Sequence, residues 1–382
     1  MSAYITATGR YLPGEPISND EIDLYLGKTG RTTTDLKDIT LKNCGVQTRH
    51  YAIDKNQQTY ISNAAMAANA ARNAAERAGL GPNDVELLTA ATTGADLIVP
   101  GHASMVHGEL GYGPLEISTS AGICSSGMMA LKNAYLQVAI GEKRTAICVA
   151  SELGSRVLKN TRYDEMGANA EGGTVPLEAA FLRYMLSDGA GAAVIESTPG
   201  DSGISLRIDW ISLTSFANTS DACMYAGSNE NSCAKTWGDY PTVSAAAADG
   251  ALVMRQDLSL LPHLVKVGVD EWERLLGLGK FDPDTLTWIP AHYSSEMMKN
   301  IVFKECARRG VNAGTPDMWY SNLARVGNIG AAAIFVILDE MLTDGLIREG
   351  DTLLCMVPES GRFVVSYMHL TAVAASAPES PA

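Results

Sequence analysis

Two hydrophobic rhythms alternate along this chain. Val85-Glu86-Leu87-Leu88-Thr89-Ala90-Ala91-Thr92-Thr93 and Arg144-Thr145-Ala146-Ile147-Cys148-Val149-Ala150 are short, nearly unbroken apolar runs of the kind that form strands buried on both faces. Longer segments with apolar residues at helical spacing lie between them. The alanine-rich stretch 62–80 predicts a helix, and 128–140 predicts another. Strand-like and helical segments in alternation predict βαβ units and a mostly parallel sheet, an α/β protein.

A similar order returns late in the chain. Gly330-Ala331-Ala332-Ala333-Ile334-Phe335-Val336-Ile337-Leu338 opens a predicted helix reaching about residue 342. Gly345 and Gly350 punctuate, and Thr352-Leu353-Leu354-Cys355-Met356-Val357 predicts a strand. Glycine, small residues, helix, glycine turn and strand thus occur twice, which points to an internal duplication with halves at 1–200 and 201–372. Residues 212–240 are rich in Ser, Asn, Gly and Ala without a clear period, and are expected to form an irregular loop or cap. The stretch 373–382 is expected to be a disordered tail.

Composition narrows the classes. At 382 residues the chain exceeds one small core, which agrees with two halves. Its net charge of −14 argues against nucleic acid as a partner and would repel an acidic carrier protein unless basic residues gather locally. Seven widely spaced cysteines with no Cys-x-x-Cys pair predict free thiols in a reducing cytoplasm. Neither a membrane span nor a secretory segment is expected, the N-terminal residues lacking a basic start and a long apolar run. His and Cys show no ligand spacing, so no metal is expected. No Gly-x-Gly-x-x-Gly follows a strand, so no nicotinamide cofactor is expected either.

The candidate chemistry centres on Cys124. In Ser118-Thr119-Ser120-Ala121-Gly122-Ile123-Cys124-Ser125-Ser126-Gly127 an apolar run ends, small residues crowd, and a predicted helix begins. Unpaired N–H groups and the positive end of the helix dipole there favour thiolate, hence a nucleophile. A free cysteine is more often a small buried hydrophobe, so partners must decide. Trp288-Ile289-Pro290-Ala291-His292 places a histidine after a strand, and Arg325-Val326-Gly327-Asn328-Ile329-Gly330 places an asparagine in a glycine turn before a helix. Each alone is usually structural. Three residues at the same kind of strand-to-helix junction can converge at one mouth of a sheet.

These residues carry a resemblance. The chain resembles the thiolase-fold condensing enzymes, specifically the initiating (type III) β-ketoacyl-acyl-carrier-protein synthases and their secondary-metabolism relatives. Gly45-Val46-Gln47-Thr48-Arg49-His50 is similar to the family's Gly-Ile-x-x-Arg-His, and Ser187-Asp188-Gly189-Ala190-Gly191-Ala192 to its Gly-Asp-Gly-Ala-Gly-Ala. Ala90-Ala91-Thr92-Thr93 resembles the strand before the dimer-contact region, and Cys124, His292 and Asn328 fall on the catalytic positions. The resemblance implies a duplicated five-layered αβαβα fold, a homodimer, and acyl carrier protein or acyl-CoA thioesters as partners. It also implies that Cys124 takes an acyl group while His292 and Asn328 stabilise the enolate of a second, malonyl- or β-ketoacyl, thioester. The backbone N–H groups of Cys124 and Gly361, the latter in Glu359-Ser360-Gly361, would form an oxyanion hole. No cofactor is implied.

Departures from the family carry information too. Acetyl-CoA-using members have a Trp and an Arg that hold the nucleotide, where this chain has Ile39 and Asn43, so CoA is a doubtful donor. The usual His-Gln-Ala-Asn is His292-Tyr293-Ser294-Ser295, and the glycine-rich C-terminal turn is reduced to Ser360-Gly361 between Glu359 and Arg362. Lys299, Lys304, Arg308 and Arg309 follow His292 and form a candidate landing patch for an acidic carrier, or a solvated face paired with Glu296 and Glu305. The Cys-Ser-Ser-Gly and His-Tyr-Ser-Ser contexts look like relatives that build aryl polyene, dialkylresorcinol or cyclohexanedione products. Two other readings compete: acyl transfer to a hydroxyl or amine, and a non-catalytic partner subunit. The pair His292 and Asn328 favours condensation, and the retained Cys124 disfavours the second.

Overall fold

Five strands in the first half and five in the second build the same sheet twice. A computed structural model describes residues 2–29, 34–168 and 173–375. The first-half strands are β1 (Tyr4–Tyr11), β2 (Leu87–Thr92), β3 (Glu116–Ala121), β4 (Thr145–Glu152) and β5 (Gly189–Glu196). Those of the second half are β6 (Ile204–Ser215), then a two-strand ribbon β7 (Met224–Tyr225) and β8 (Arg255–Gln256), then β9 (Ile289–Pro290), β10 (Trp319–Tyr320), β11 (Thr352–Glu359) and β12 (Val364–Ala374). In the first sheet the order is β3-β2-β4-β5-β1, with β3, β2 and β4 parallel and β5 and β1 antiparallel. In the second it is β10-β9-β11-β12-β6 with the same senses, β9 meeting β11 through the parallel bridges Trp288↔Leu353 and Ala291↔Met356. The two sheets touch along a short β1–β6 pairing at Tyr4 and Ile5.

The helices repeat as well. α1 (Asn63–Arg77), α2 (His102–Leu110) and α3 (Ser126–Ala139) follow the successive first-half strands, while α4 (Leu177–Met185) precedes β5. α5 (Leu261–Gly277), α6 (Glu296–Arg309) and α7 (Ala333–Thr343) take the places of α1, α2 and α3 in the second half. Period-2 alternation assigns the layers. On β4, Ala146, Cys148 and Ala150 join the core around α3 and α7, while Ile147 and Val149 face α1 and α2. On β11, Leu353, Cys355 and Val357 join that central core, while Leu354 and Met356 face α5 and α6. Five layers result, αβαβα, with α3 and α7 in the middle. α7 is buried nearly all round because both sheets cover it, and its two carboxylates, Asp339 and Glu340, are paired with Arg77 and Arg325.

Two sequence expectations need correction. β6 extends to Ser215, so the start of the 212–240 region is strand, because it pairs with β12 from Val364 onward. β12 runs to Ala374, two residues into the expected tail, where Val373 and Ala374 pair with Ser205 and Ile204; residues 376–382 lie outside the described ones. No helix among the described residues is long and apolar enough to cross a membrane.

Candidate active site

Cys124 and Asn328 occupy corresponding places in the repeat. Each lies between the third strand of its half and the central helix that follows, and His292 lies between β9 and α6. All three line one cavity of about 170 Å³. Its further walls are mostly apolar: Met224 from the ribbon, Val265 and Trp272 from α5, Val302 from α6, Trp319 and Tyr367.

The Cys124 turn is held from three sides. Ser126 Oγ donates to the Ile123 carbonyl at 2.7 Å, and Ser125 Oγ donates to the Val357 carbonyl at 3.0 Å. Glu359, the last residue of β11, accepts hydrogen bonds on Oε2 from the backbone N–H of Ile123 (3.2 Å) and of Ser125 (3.0 Å). The N–H groups on both sides of Cys124 are therefore committed to a buried carboxylate. This corrects the expectation of a helix terminus that favours thiolate. Burial, then the charges of Glu359 and Glu152, push the Cys124 thiol well above its ordinary range, so the resting group is the neutral thiol.

Burial also drives His292 down to about 4, which makes it a neutral imidazole at pH 7 with one donor and one acceptor nitrogen. Its backbone N–H is fixed on the Met356 carbonyl at 2.9 Å. Asn328 Oδ1 accepts from Gly330 N–H at 2.9 Å, which orients the carboxamide and leaves its NH₂ as donor. Asn328 is clamped further by its N–H on Met185 and its carbonyl under Ser187 N–H. Gly330 has φ +47°, and a Cβ there would sit 2.8 Å from Glu152 Oε1, so glycine is required at that step.

Glu152 ends β4 as Glu359 ends β11. Its Oε1 accepts from Ala331 N–H at 3.1 Å and Thr93 Oγ1 at 2.8 Å, and burial lifts it to about 7. Each half thus ends its fourth strand in a glutamate that braces the junction of the other half: Glu152 the Asn328 turn, Glu359 the Cys124 turn. The motifs behind the family resemblance turn out to be braces as well. Arg49 is fully buried and donates to Asn19 Oδ1 and the Tyr184 carbonyl, while Asp188 accepts from Ala52 N–H and Ser155.

The remaining candidates are placed as follows. Gly361 sits behind the cavity wall, where a Cβ would meet Glu359 Oε1 at 3.0 Å and Ile123 at 3.1 Å; Ser360 is the residue of that turn on the cavity. The carbonyls of Ser360 and Gly361 accept from Met224 N–H and Cys223 N–H. Of the basic cluster, Lys299 lines the cavity and Lys304 is exposed. Arg308 is paired with Glu305 at 2.7 Å, and Arg309 with Asp270, Glu273 and Glu305 at 2.6, 2.9 and 2.7 Å. Half the expected patch is therefore neutralised within α5 and α6. Ile39 is exposed and Asn43 carries the carbonyl that Ser295 Oγ reaches at 3.3 Å.

No family model matches the sequence. Solved structures match it along nearly its whole length. AbyA1, a tetronic acid condensing enzyme, superposes with a TM-score of 0.76 at 19% identity over 97% of this chain and 99% of its own. The 3-oxoacyl-(acyl carrier protein) synthase III FabH of Pseudomonas aeruginosa PAO1 gives 0.72 at 20%, over 97% and 98%. OleA of Xanthomonas campestris, solved with lauric acid and lauroyl-CoA bound, gives 0.73 at 17%, over 97% and 99%. The chain therefore has the thiolase fold. Within it, the structures that match are a type III synthase and other condensing enzymes, in agreement with the resemblance seen in the sequence.

Proposed function

We propose that the protein is a ketosynthase III-like condensing enzyme of fatty acid or polyketide-type secondary metabolism. The observation that carries this reading is the convergence of Cys124, His292 and Asn328 on one apolar cavity. Cys124 Sγ attacks the carbonyl of an acyl thioester. Its proton leaves on the departing thiol, and the acyl group stays as a new thioester. The second substrate then gives an enolate, a malonyl thioester by losing CO₂ and a β-ketoacyl thioester by passing its acidic α-proton to water, which later returns a proton to the released Cys124 thiolate. The enolate oxygen takes hydrogen bonds from the neutral imidazole of His292 and the NH₂ of Asn328. The carbanion attacks the Cys124 thioester, a carbon–carbon bond forms, and the thiolate of Cys124 is released and reprotonated. Carrier-bound rather than CoA-bound acyl donors fit the exposed Ile39 and the Asn43 found in place of a stacking ring and a phosphate partner. The backbone N–H of Cys124, with that of Gly361 or the neighbouring Ser360, completes the acyl-transfer oxyanion site in this reading. Exposed Leu97, Ile98 and Val99 with the open edge of β3 fit a homodimer. A polyketide-type product of the dialkylresorcinol or cyclohexanedione kind rests on the Cys-Ser-Ser-Gly and His-Tyr-Ser-Ser contexts.

Incubation with acyl-carrier and acyl-CoA thioesters, followed by mass spectrometry of the intact protein, tests the reading. One acyl group is expected on wild type and none on Cys124→Ala. Adding a malonyl or β-ketoacyl thioester is expected to discharge the adduct as a ketone or ring. An adduct that persists in Cys124→Ala sinks the nucleophile assignment, and an ester or amide product moves the protein to acyl transfer onto a hydroxyl or amine.

A further inference from the structure

Among the polar side chains lining the cavity that holds Cys124, Gln256 stands out as one that the condensation chemistry leaves without a task and that lacks a strong partner. Gln256 lines it from β8, is only 1% exposed, and neither its carboxamide oxygen nor its nitrogen makes a hydrogen bond of ordinary geometry among the described residues. Its one polar neighbour among the described residues is the Cys223 sulfur, a weak acceptor for the carboxamide NH₂, and the Cys223 thiol directs its own proton to the Asp257 carbonyl at 3.3 Å. The cavity lining that comes from neighbouring positions is apolar: Met224 is the cross-strand partner of Gln256, Met254 stands two residues before it, and Met185 comes from α4, which packs on β8. Buried amides are nearly always paired, and an unpaired one in a pocket marks a place where a ligand completes the bonding.

The placement is rigid and tied to the nucleophile. Gln256 pairs with Met224 in the β7–β8 ribbon, and Asp257 N–H reaches the Cys223 carbonyl at 2.7 Å. Met224 and Cys223 hang by their N–H groups on the Ser360 and Gly361 carbonyls, both at 2.8 Å. The preceding residue, Glu359, holds the backbone on each side of Cys124. A continuous chain of hydrogen bonds, backbone except for the Glu359 carboxylate at its end, therefore fixes the backbone of Gln256 relative to the Cys124 turn, as a specificity contact requires.

We propose that Gln256 hydrogen-bonds an oxygen-bearing group, a hydroxyl or a carbonyl, on the acyl chain that Cys124 carries, so that the site selects an oxygenated acyl group over a plain hydrocarbon one. This rests on the reading of Cys124 as the acyl acceptor. A carboxamide offers both a donor and an acceptor, so it satisfies a hydroxyl in either sense and a ketone through its NH₂. A site built to bond a substrate oxygen discriminates against the chain that lacks it, because the site's own polar atoms are then left unpaired. The amides of a pantetheine arm have the same chemistry, and the test separates them.

Loading of Cys124 is followed by intact mass with hexanoyl-, 3-hydroxyhexanoyl-, 5-hydroxyhexanoyl- and 3-oxohexanoyl-CoA, in wild type, Gln256→Leu and Gln256→Met. At least one oxygenated chain is expected to load about tenfold faster than hexanoyl in wild type. That ratio is expected to fall to about one in both variants, with hexanoyl loading kept. Wild type that loads hexanoyl as fast as every oxygenated chain overturns the proposal whatever the variants do. So does a preference that survives in Gln256→Leu. If the variants slow all CoA thioesters equally but leave thiophenyl esters of the same acids unchanged, Gln256 serves the pantetheine arm and the proposal fails. Absence of any wild-type adduct from either ester class and from the same acids carried on an acyl carrier protein would remove the nucleophile reading itself, an outcome distinct from adducts that form without preference.

Discussion

At the scale of single residues, the decisive pair is Cys124 and Glu359. The Cys124 junction has the sequence of an activating helix terminus, yet the N–H groups that would stabilise a thiolate are spent on a carboxylate. A negative charge then faces the sulfur. The groups facing Cys124 are Glu359 from the β11 turn, Glu152 from β4 and the neutral His292 beyond β9. Replacing Glu359 by Gln removes one charge and keeps an oxygen for one N–H. The thiolate is then opposed less, so the Cys124 pKa must fall. The rate of iodoacetamide alkylation against pH, with the adduct located by mass spectrometry, is expected to move its midpoint about one pH unit lower in Glu359→Gln than in wild type. A midpoint that stays or rises would show that burial alone holds the thiol neutral. At this scale the sequence named Cys124, His292 and Asn328 through their junctions, but it left Glu359 as no more than a flank of Ser360-Gly361. The carboxylate's role depends on a contact between residues 359 and 125, from opposite halves, and no local pattern encodes such a contact.

At the scale of elements, the repeat was readable in outline and misread in detail. Thr145-Ala146-Ile147-Cys148-Val149-Ala150-Ser151-Glu152 and Thr352-Leu353-Leu354-Cys355-Met356-Val357-Pro358-Glu359 share Thr, Cys and Glu at matching positions. They are the fourth strands of the two halves, and their final glutamates are the two braces. The strand end at Ala374 was obscured because Ala, Val and Ser in 371–376 carry no turn signal, and only pairing with β6 fixes the boundary. The close approach of α3 to α7 was equally hidden. Gly127 opens α3 where a Cβ would stand 2.3 Å from the Ala331 carbonyl and 3.0 Å from Phe335. Backbone cannot yield as a flexible side chain can. Gly127→Ala is therefore expected to lose about 2 kcal/mol of stability by overpacking, despite alanine's better helix propensity. Urea unfolding followed by circular dichroism measures this; a variant as stable as wild type would mean that the central layer separates without penalty.

At the scale of the whole molecule, net charge constrains the acyl-carrier donor proposed above. The chain carries −14, so an acidic carrier protein meets net repulsion and docks only where local cations prevail. The α6 face was expected to supply four. Arg308 and Arg309 are absorbed by Glu305, Asp270 and Glu273, so their contribution to an approaching anion is largely cancelled. Lys299, on the cavity wall, and Lys304, exposed a little over one turn further along α6, are the two cations of the four without an ion pair among the described residues. Reversing both to Glu is expected to slow Cys124 loading from an acyl-carrier donor by about tenfold at low salt, with a smaller effect at 0.5 M salt where charges are screened. Loading from a small N-acetylcysteamine thioester should stay near wild type, because that donor has no acidic surface to steer. Reversing Arg308 instead changes the charge of α6 by two units rather than four and leaves both lysines in place, so it is expected to cost carrier-dependent loading clearly less than the double lysine variant. Equal losses from Lys299→Glu/Lys304→Glu and from Arg308→Glu would point to general repulsion rather than a landing site. No loss from the double lysine variant would remove α6 from the docking surface altogether.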